Sequence, residues 1–197
     1  MTSSRSAVEE RALADACDAK GDHDGAVNAL ARATRLGDIA AMTQLGKRLL
    51  VGTNAPLLPK EGMRFLVDAA RAGGAEAPAR LAVLAAAGLY REQNVAEALS
   101  LVVAAAQRGW QPAQAQLLAL RPDRELAEAA GRSAAEWQGI ADTIDLAYWQ
   151  SAPERQVLSS SPEICTFAGL IPPAVCDWLI DRSSGQLGRA LVYDPVS

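Results

Sequence analysis

The chain has 197 residues, half of them apolar and 21% charged, which is ordinary globular usage and excludes a disordered polymer. A net charge of −4, with three lysines and none after Lys60, provides no basic field for a phosphate backbone and excludes nucleic acid as a partner. Forty-one alanines against 5% aromatic residues call for a core of small side chains, as in closely packed helices, and a single histidine, His23, excludes chemistry that needs several imidazoles.

The N-terminal MTSSRSAVEERALADA has no apolar h-region, and no apolar stretch reaches the roughly 18 residues that a membrane span needs. A membrane is therefore not an expected partner, and the expected location is the cytoplasm. Cys17, Cys165 and Cys176 are odd in number and lack CxxC spacing, so they read as buried thiols, neither a disulfide framework nor a zinc knuckle. His23 lies in Gly21-Asp22-His23-Asp24-Gly25, which reads as a polar turn between two helices; no second imidazole exists to complete a metal site.

Between Asp24 and Leu120 a shift of 36 residues superimposes the small and apolar positions without gaps. Leu45, Leu81 and Leu117 share a column, as do Ala41, Ala77 and Ala113; Thr43, Ala79 and Ala115 form another. Gly37, Gly73 and Gly109 form a fourth, and Gly52 pairs with Gly88. Ala33, Ala69 and Ala105, then Val27, Met63 and Leu99, then Leu30, Leu66 and Val102 continue the register. Each unit reads as helix, loop, helix, with glycine just past the helix ends. Pro59 can open a helix to about Ala72, and Asn94-Val95-Ala96-Glu97 has the form of a capping box opening one to about Arg108. Such a pair cannot bury its apolar face alone, so the units should stack into an α-solenoid.

These residues resemble the Sel-1-like repeat, a relative of the tetratricopeptide repeat. The resemblance rests on Ala41, Leu45, Gly46 and Gly52, then Ala69, Ala70 and Gly73, and on a second copy at Ala77, Leu81, Ala82, Gly88, Ala105, Ala106 and Gly109. It covers roughly residues 7–120 and departs from the family at Leu49, Ala85 and Leu101, where aromatic residues are common, and in a shortened loop after Gly88. The resemblance implies a scaffold that holds a protein or peptide on a concave face; the alternative is a solenoid that only packs against its own neighbouring domain. Gln44, Arg80 and Gln116 form a polar column one residue before the core leucines. On the concave face they would hydrogen-bond an extended backbone; otherwise they are a solvated helix face.

The repeat stops at Arg121-Pro122, and residues 122–150 hold six acidic and two basic side chains, a composition shift that marks a join. Ser133-Ala134-Ala135-Glu136 is a second capping box, and Trp137, Ile140, Ala141, Ile144 and Ala147 or Tyr148 recur at helical spacing. One helix to about Trp149 should cap the solenoid or bridge it to the next unit, with Trp137 and Trp149 buried.

From Pro153 onward strand-type segments are expected at Gln156–Leu158, Ile164–Phe167 and Ala190–Tyr193, with a helix opened by Pro172-Pro173, striped by Val175, Cys176, Leu179 and Ile180, and ended at Ser183-Ser184-Gly185. Edge strands with unpaired backbone groups make this tail look like the opening of a larger β-rich domain. Phe167-Ala168-Gly169-Leu170, Cys176-Asp177-Trp178-Leu179-Ile180 and Val192-Tyr193-Asp194 resemble the start of the prolyl 4-hydroxylase-like domain of the Fe(II)/2-oxoglutarate dioxygenases. That resemblance implies Fe(II) and 2-oxoglutarate for a parent polypeptide, a hydroxylation substrate as partner, and a His-x-Asp…His triad. None of these ligands is present, so no catalytic, cofactor or metal residue is assigned; Phe167, Cys176, Leu179 and Ile180 are framework positions, Cys176 a core thiol.

The expected class is mainly α: a solenoid of helix-turn-helix repeats over 1–121, acidic capping or bridging helices over 122–152, and a short incomplete α/β segment over 153–197. Three functions stay open: the binding region of a dioxygenase, a stand-alone scaffold or adaptor whose tail is a remnant, and a solenoid capped by a small α/β extension.

Overall fold

A computed structural model describes residues 5–121, 131–185 and 187–188. Among the described residues the chain forms α1 (Ala7–Asp18), α2 (His23–Arg35), α3 (Ile39–Val51), α4 (Pro59–Arg71), α5 (Glu76–Ala87), α6 (Val95–Gln107), α7 (Gln111–Ala119), α8 (Ala134–Asp142), α9 (Leu146–Gln150), the strands β1 (Arg155–Ser160) and β2 (Glu163–Phe167), and α10 (Pro173–Ser183). Helices α2, α4 and α6 start at residues 23, 59 and 95 and each has 13 residues, so the 36-residue period is carried by the backbone itself.

Chain reversals repeat with the same register. After α2, α4 and α6 the N–H groups of Asp38, Gly74 and Trp110 bond back to the carbonyls of Ala33, Ala69 and Ala105 at 3.1, 2.9 and 3.0 Å. These bonds require a left-handed residue between, and Gly37, Gly73 and Gly109 adopt φ of 87°, 92° and 81° there without a Cβ penalty. The loops after α3 and α5 are likewise closed by matching bonds, Leu58 N–H to Leu49 O and Asn94 N–H to Ala85 O, at 2.9 and 2.8 Å.

Helices pack in sequence: α1 on α2, α3 on α4 and α5 on α6 most extensively, with α2 on α3, α4 on α5 and α6 on α7 joining the pairs into a solenoid. The repeat columns are the core: Leu45, Leu81 and Leu117, Ala41, Ala77 and Ala113, and Ala33, Ala69 and Ala105 are all buried. Helices α3 and α4 cross in backbone contact, since a Cβ on Gly46 would lie 2.9 Å from the Gly62 carbonyl oxygen and one on Gly62 would lie 2.8 Å from the Gly46 oxygen. One repeat on, the same positions are Ala82 and Ala98, both buried, and hence the abundance of small residues. Arg108, just past α6, reaches back to the carbonyls of Ala70 and Gly74 at 2.9 and 3.0 Å, where it satisfies acceptors at the end of α4.

Polar contacts fasten the N-terminal end. Asp18 receives Arg48 through both carboxylate oxygens and His23 Nδ1 at 3.2 Å, tying α1 to α2 and α3. His23 is therefore not in a turn: Asp22 caps the helix by accepting the Gly25 N–H, which makes His23 the first residue of α2. Ser6 and Glu9 form a capping box that opens α1.

The expected single helix to Trp149 is two. Ser133 and Glu136 do form the capping box of α8, and its N–H and hydroxyl hold the Glu136 carboxyl below the usual carboxylate range. At Thr143 both the N–H and the hydroxyl bond to the Ile140 carbonyl, which tightens and ends α8; Asp145 then accepts the Ala147 and Tyr148 N–H groups to start α9. Trp137, Ile140, Ala141 and Ile144 share one core with Ala98, Val102 and Leu117, so α8 continues the solenoid's packing. Trp137 is fully buried, with Arg132 5.8 Å from its ring; Trp149 is half-buried, and Ala147 and Tyr148 are exposed. The motif at Asn94 is half a capping box: Asn94 accepts the Glu97 N–H, but the Glu97 carboxylate pairs with Arg91 and the Asn94 N–H is taken by Ala85.

In the tail β1 and β2 form an antiparallel hairpin with Val157 opposite Cys165 and Arg155 opposite Phe167. The expected strand Ala190–Tyr193 lies outside the described residues. Cys17, Cys165 and Cys176 are half-buried, not fully buried thiols: Cys17 on α1 packs at the edge of the cluster of Ala14 and Leu30, while the hairpin and α10, which carry Cys165 and Cys176, contribute no fully buried residue.

Two stability outcomes follow from this packing. Gly62→Ala gains about 1 kcal/mol of helix propensity, but its Cβ meets rigid backbone at the Gly46 oxygen and the Leu50 nitrogen, both at 2.8 Å. The expected net result is destabilisation of about 1–2 kcal/mol, a Tm lower by roughly 2–8 °C in calorimetry, whereas Gly139→Ala, with open space around it, should raise Tm. The hydrogen bond from Arg48 holds the Asp18 carboxyl below its ordinary value, so the stabilisation is present above the unfolded pKa of about 3.9 and is lost as pH falls through the folded value. Asp18→Asn should lower stability at pH 7 and leave a shallower loss between about pH 5 and 2, measured by urea unfolding across that range.

Candidate functional site

Gln44, Arg80 and Gln116 lie on α3, α5 and α7, and each is half-buried. Their environments differ. The Gln44 Oε1 is buried and has no hydrogen-bond partner among the described residues, and Arg80 is held within its own helix by Glu76, with Nε and Nη2 at 2.8 and 2.6 Å from one carboxylate oxygen. Gln116 faces a cavity. The column thus comprises one engaged cation and two amides, with a single member at open space.

Arg80 belongs to a ladder that ties successive helices of one layer. Arg11 of α1 donates to Asp38, the cap of α3, at 3.0 Å; Lys47 of α3 donates to Glu76, at the start of α5, at 2.9 Å. Burial raises the Glu76 carboxyl, but the bonds from Lys47 and Arg80 outweigh it and hold the group below the usual range. Residues 11 and 47 are one repeat apart, and the next member of that column is Val83, with Pro112 one repeat on from Glu76. The ladder closes two junctions with charge and leaves the third, between α5 and α7, without it.

At that junction lies a cavity of about 460 Å³ whose lining includes Ala79 and Val83 of α5, Leu99 of α6, Gln116 of α7, and Leu146 and Trp149 of α9. No ionisable side chain lines it, and Val83 is 58% exposed at its edge. Leu120 and Trp149 are shared with a neighbouring cleft of about 370 Å³ that reaches α10 and carries Arg121, Asp145 and Tyr148. Trp149, with Tyr148 edge-on at 5.4 Å, stands between the two spaces. The broken column at Arg11, Lys47 and Val83 is visible in the sequence, but it has meaning only once the ion pairs made by the first two are known.

His23, bound to Asp18 at the opposite end of the solenoid, is remote in sequence from these cavities, and no group of three His, Cys, Asp or Glu side chains gathers among the described residues. The donor set does not fit a His-x-Asp…His iron triad, since the chain has one histidine. No helix among the described residues is long and apolar enough to cross a membrane.

No family model and no curated protein matches the chain. Among solved structures it is similar to a Sel1 repeat protein from Oxalobacter formigenes, with a TM-score of 0.54 and 23% identity over 69% of this chain. The match covers 58% of that protein, so the chain spans little more than half of its length. This likeness shows the helical-repeat fold alone and lends no support to a hydroxylase-like segment. The fold is a Sel1-like α-solenoid followed by a short hairpin and helix.

Proposed function

We propose that the chain is a Sel1-like repeat scaffold or adaptor that holds a protein or peptide partner in the cytoplasm, and that it is not itself a catalyst. The observation that carries this reading is the uncharged cavity at the α5–α7 junction, the one place in the ladder where an ion pair is replaced by exposed apolar surface. Gln116, and less directly Gln44 and Arg80, supply polar groups along the same helices to meet a partner's backbone. Residues 1–121 are the binding unit in this reading, 122–152 its cap, and 153–197 an appended segment.

A second reading has one specific observation in its favour. Leu158, Ile164, Leu170, Ile171, Leu179 and Ile180 are all exposed in the hairpin, α10 and the segment between them, as in a segment whose partner surface lies elsewhere. It makes the chain the N-terminal region of an Fe(II)/2-oxoglutarate dioxygenase acting on a held protein substrate. Iron and 2-oxoglutarate would then be bound by residues other than these, and no step of that chemistry falls to the present side chains. A coding sequence past Ser197 with His-x-Asp and a distal His supports this reading; one without them removes it.

For the scaffold, affinity capture with the full chain should recover a defined partner. Gln44→Ala, Arg80→Ala and Gln116→Ala combined should weaken that partner's binding by about tenfold or more in calorimetric titration. Undiminished binding would remove the polar column from the site, and failure to recover any partner would remove the scaffold reading.

A further inference from the structure

The cavity at the α5–α7 junction is walled by helix faces. Ala79, Val83 and Ala86 on α5, and Gln116 and Leu120 at the end of α7, recur at three- or four-residue spacing, which is one face of each helix. Its volume of about 460 Å³ lies in the range of small-molecule sites, and a partner's single Leu or Phe side chain would leave most of it unfilled. Apart from the Trp149 indole N–H, Gln116 carries the polar side-chain atoms of the lining. Other glutamines around this junction are engaged: Gln93, Gln107 and Gln114 donate to the carbonyls of Ala86, Ala134 and Ala106 at 2.8, 3.0 and 2.9 Å. The Gln116 amide has no hydrogen-bond partner among the described residues.

One repeat earlier the positions of Val83 and Gln116 are Lys47 and Arg80, and Glu76 binds both. With Pro112 in place of that glutamate, the last junction loses the ion cluster and keeps an unengaged amide beside apolar walls. Such a lining sorts ligands by charge. A carboxylate or ammonium inside would be desolvated with no opposite charge among the lining residues, whereas a hydrocarbon or aromatic body is buried favourably. One carbonyl or hydroxyl on that body can be met by the amide, which both donates and accepts. We propose that this cavity binds a free small molecule that is uncharged and largely apolar and that sets one hydrogen-bonding group, a carbonyl or hydroxyl, against Gln116. The scaffold reading takes the exposed rim at Val83 for a protein; the small molecule fills the space behind the rim, and its site does not depend on that reading.

The test is fluorescence titration of the full chain with prodan, a neutral solvatochromic naphthyl ketone, beside an anionic anilinonaphthalene sulfonate of similar size. Val83 and Gln116 lie outside the fully buried core, so Val83→Asp and Gln116→Leu should leave the circular dichroism spectrum and Tm close to the parent's, with Arg71→Gln as a remote control. Prodan should bind saturably and more tightly than the sulfonate, and Val83→Asp should lower its affinity by about tenfold or more while the control changes nothing. In Gln116→Leu the emission of bound prodan should move further to the blue, because the ketone loses its hydrogen-bond donor. Binding indifferent to Val83→Asp places the dye on other exposed apolar surface, such as the hairpin and α10, and overturns the proposal. Bound emission unchanged by Gln116→Leu, a sulfonate held as tightly as the ketone, or no saturable binding overturns it too. A dimer in light scattering that Val83→Asp turns into a monomer assigns the cavity to a second copy and likewise overturns it. Affinity capture of a partner is a separate measurement, so the scaffold reading stands or falls apart from these results.

Discussion

Close approach of paired helices is the constraint on which the rest depends. Where α3 crosses α4, the backbones meet at Gly46 and Gly62 with no room for a Cβ on either, and the next repeat meets at Ala82 and Ala98. Small residues at the crossing let the neighbouring leucines, Leu45 and Leu66 and their counterparts, reach full burial, each contributing about 1.5–3 kcal/mol. A chain built this way needs few aromatic residues. It also has little tolerance at the crossings, since helices already in backbone contact cannot separate without opening the core on both sides.

Small columns set the distance between helices, and charge then adjusts how they sit side by side. Arg11 with Asp38 and Lys47 with Glu76 tie three successive helices of one layer, while Asp18 with Arg48 and His23 secures the N-terminal end. At Val83 and Pro112 this device is absent, and a space lined by aliphatic groups takes its place. The uncharged junction of the ladder thus arises from changes at two repeat positions, Val83 after Lys47 and Pro112 after Glu76, not from a separate element. Partly exposed ion pairs contribute little stability on their own, so replacing one costs the fold little.

Much of this was legible in the sequence because the repeat is strict. The 36-residue shift placed α2, α4 and α6, and the glycine column marked the left-handed residues that end them, since few other residues accept that backbone. Less legible were features decided by local hydrogen bonds. Apolar spacing runs unbroken from Trp137 to Tyr148, yet Thr143 and Asp145 end one helix and start another through side-chain bonds that periodicity does not register. His23 was misplaced because Asp22, not the glycine after it, sets the helix start. Burial of Cys165 and Cys176 would need a core that the hairpin and α10 do not build among the described residues, whereas Cys17 packs at the edge of one. Of the polar column, the sequence showed the alignment of Gln44, Arg80 and Gln116 but not that Glu76 occupies Arg80.

The central claim is that small-residue helix crossings join three successive buried clusters, from α1 to α8, into one cooperative solenoid. Native-state amide hydrogen exchange on the full chain tests it most directly. Exchange of α3, α4, α5 and α6 only through global unfolding, with β1, β2 and α10 opening locally at far lower free energy, is the expected result. Helix pairs that exchange independently at distinct free energies, or a hairpin protected as well as α3 and α4, would contradict it.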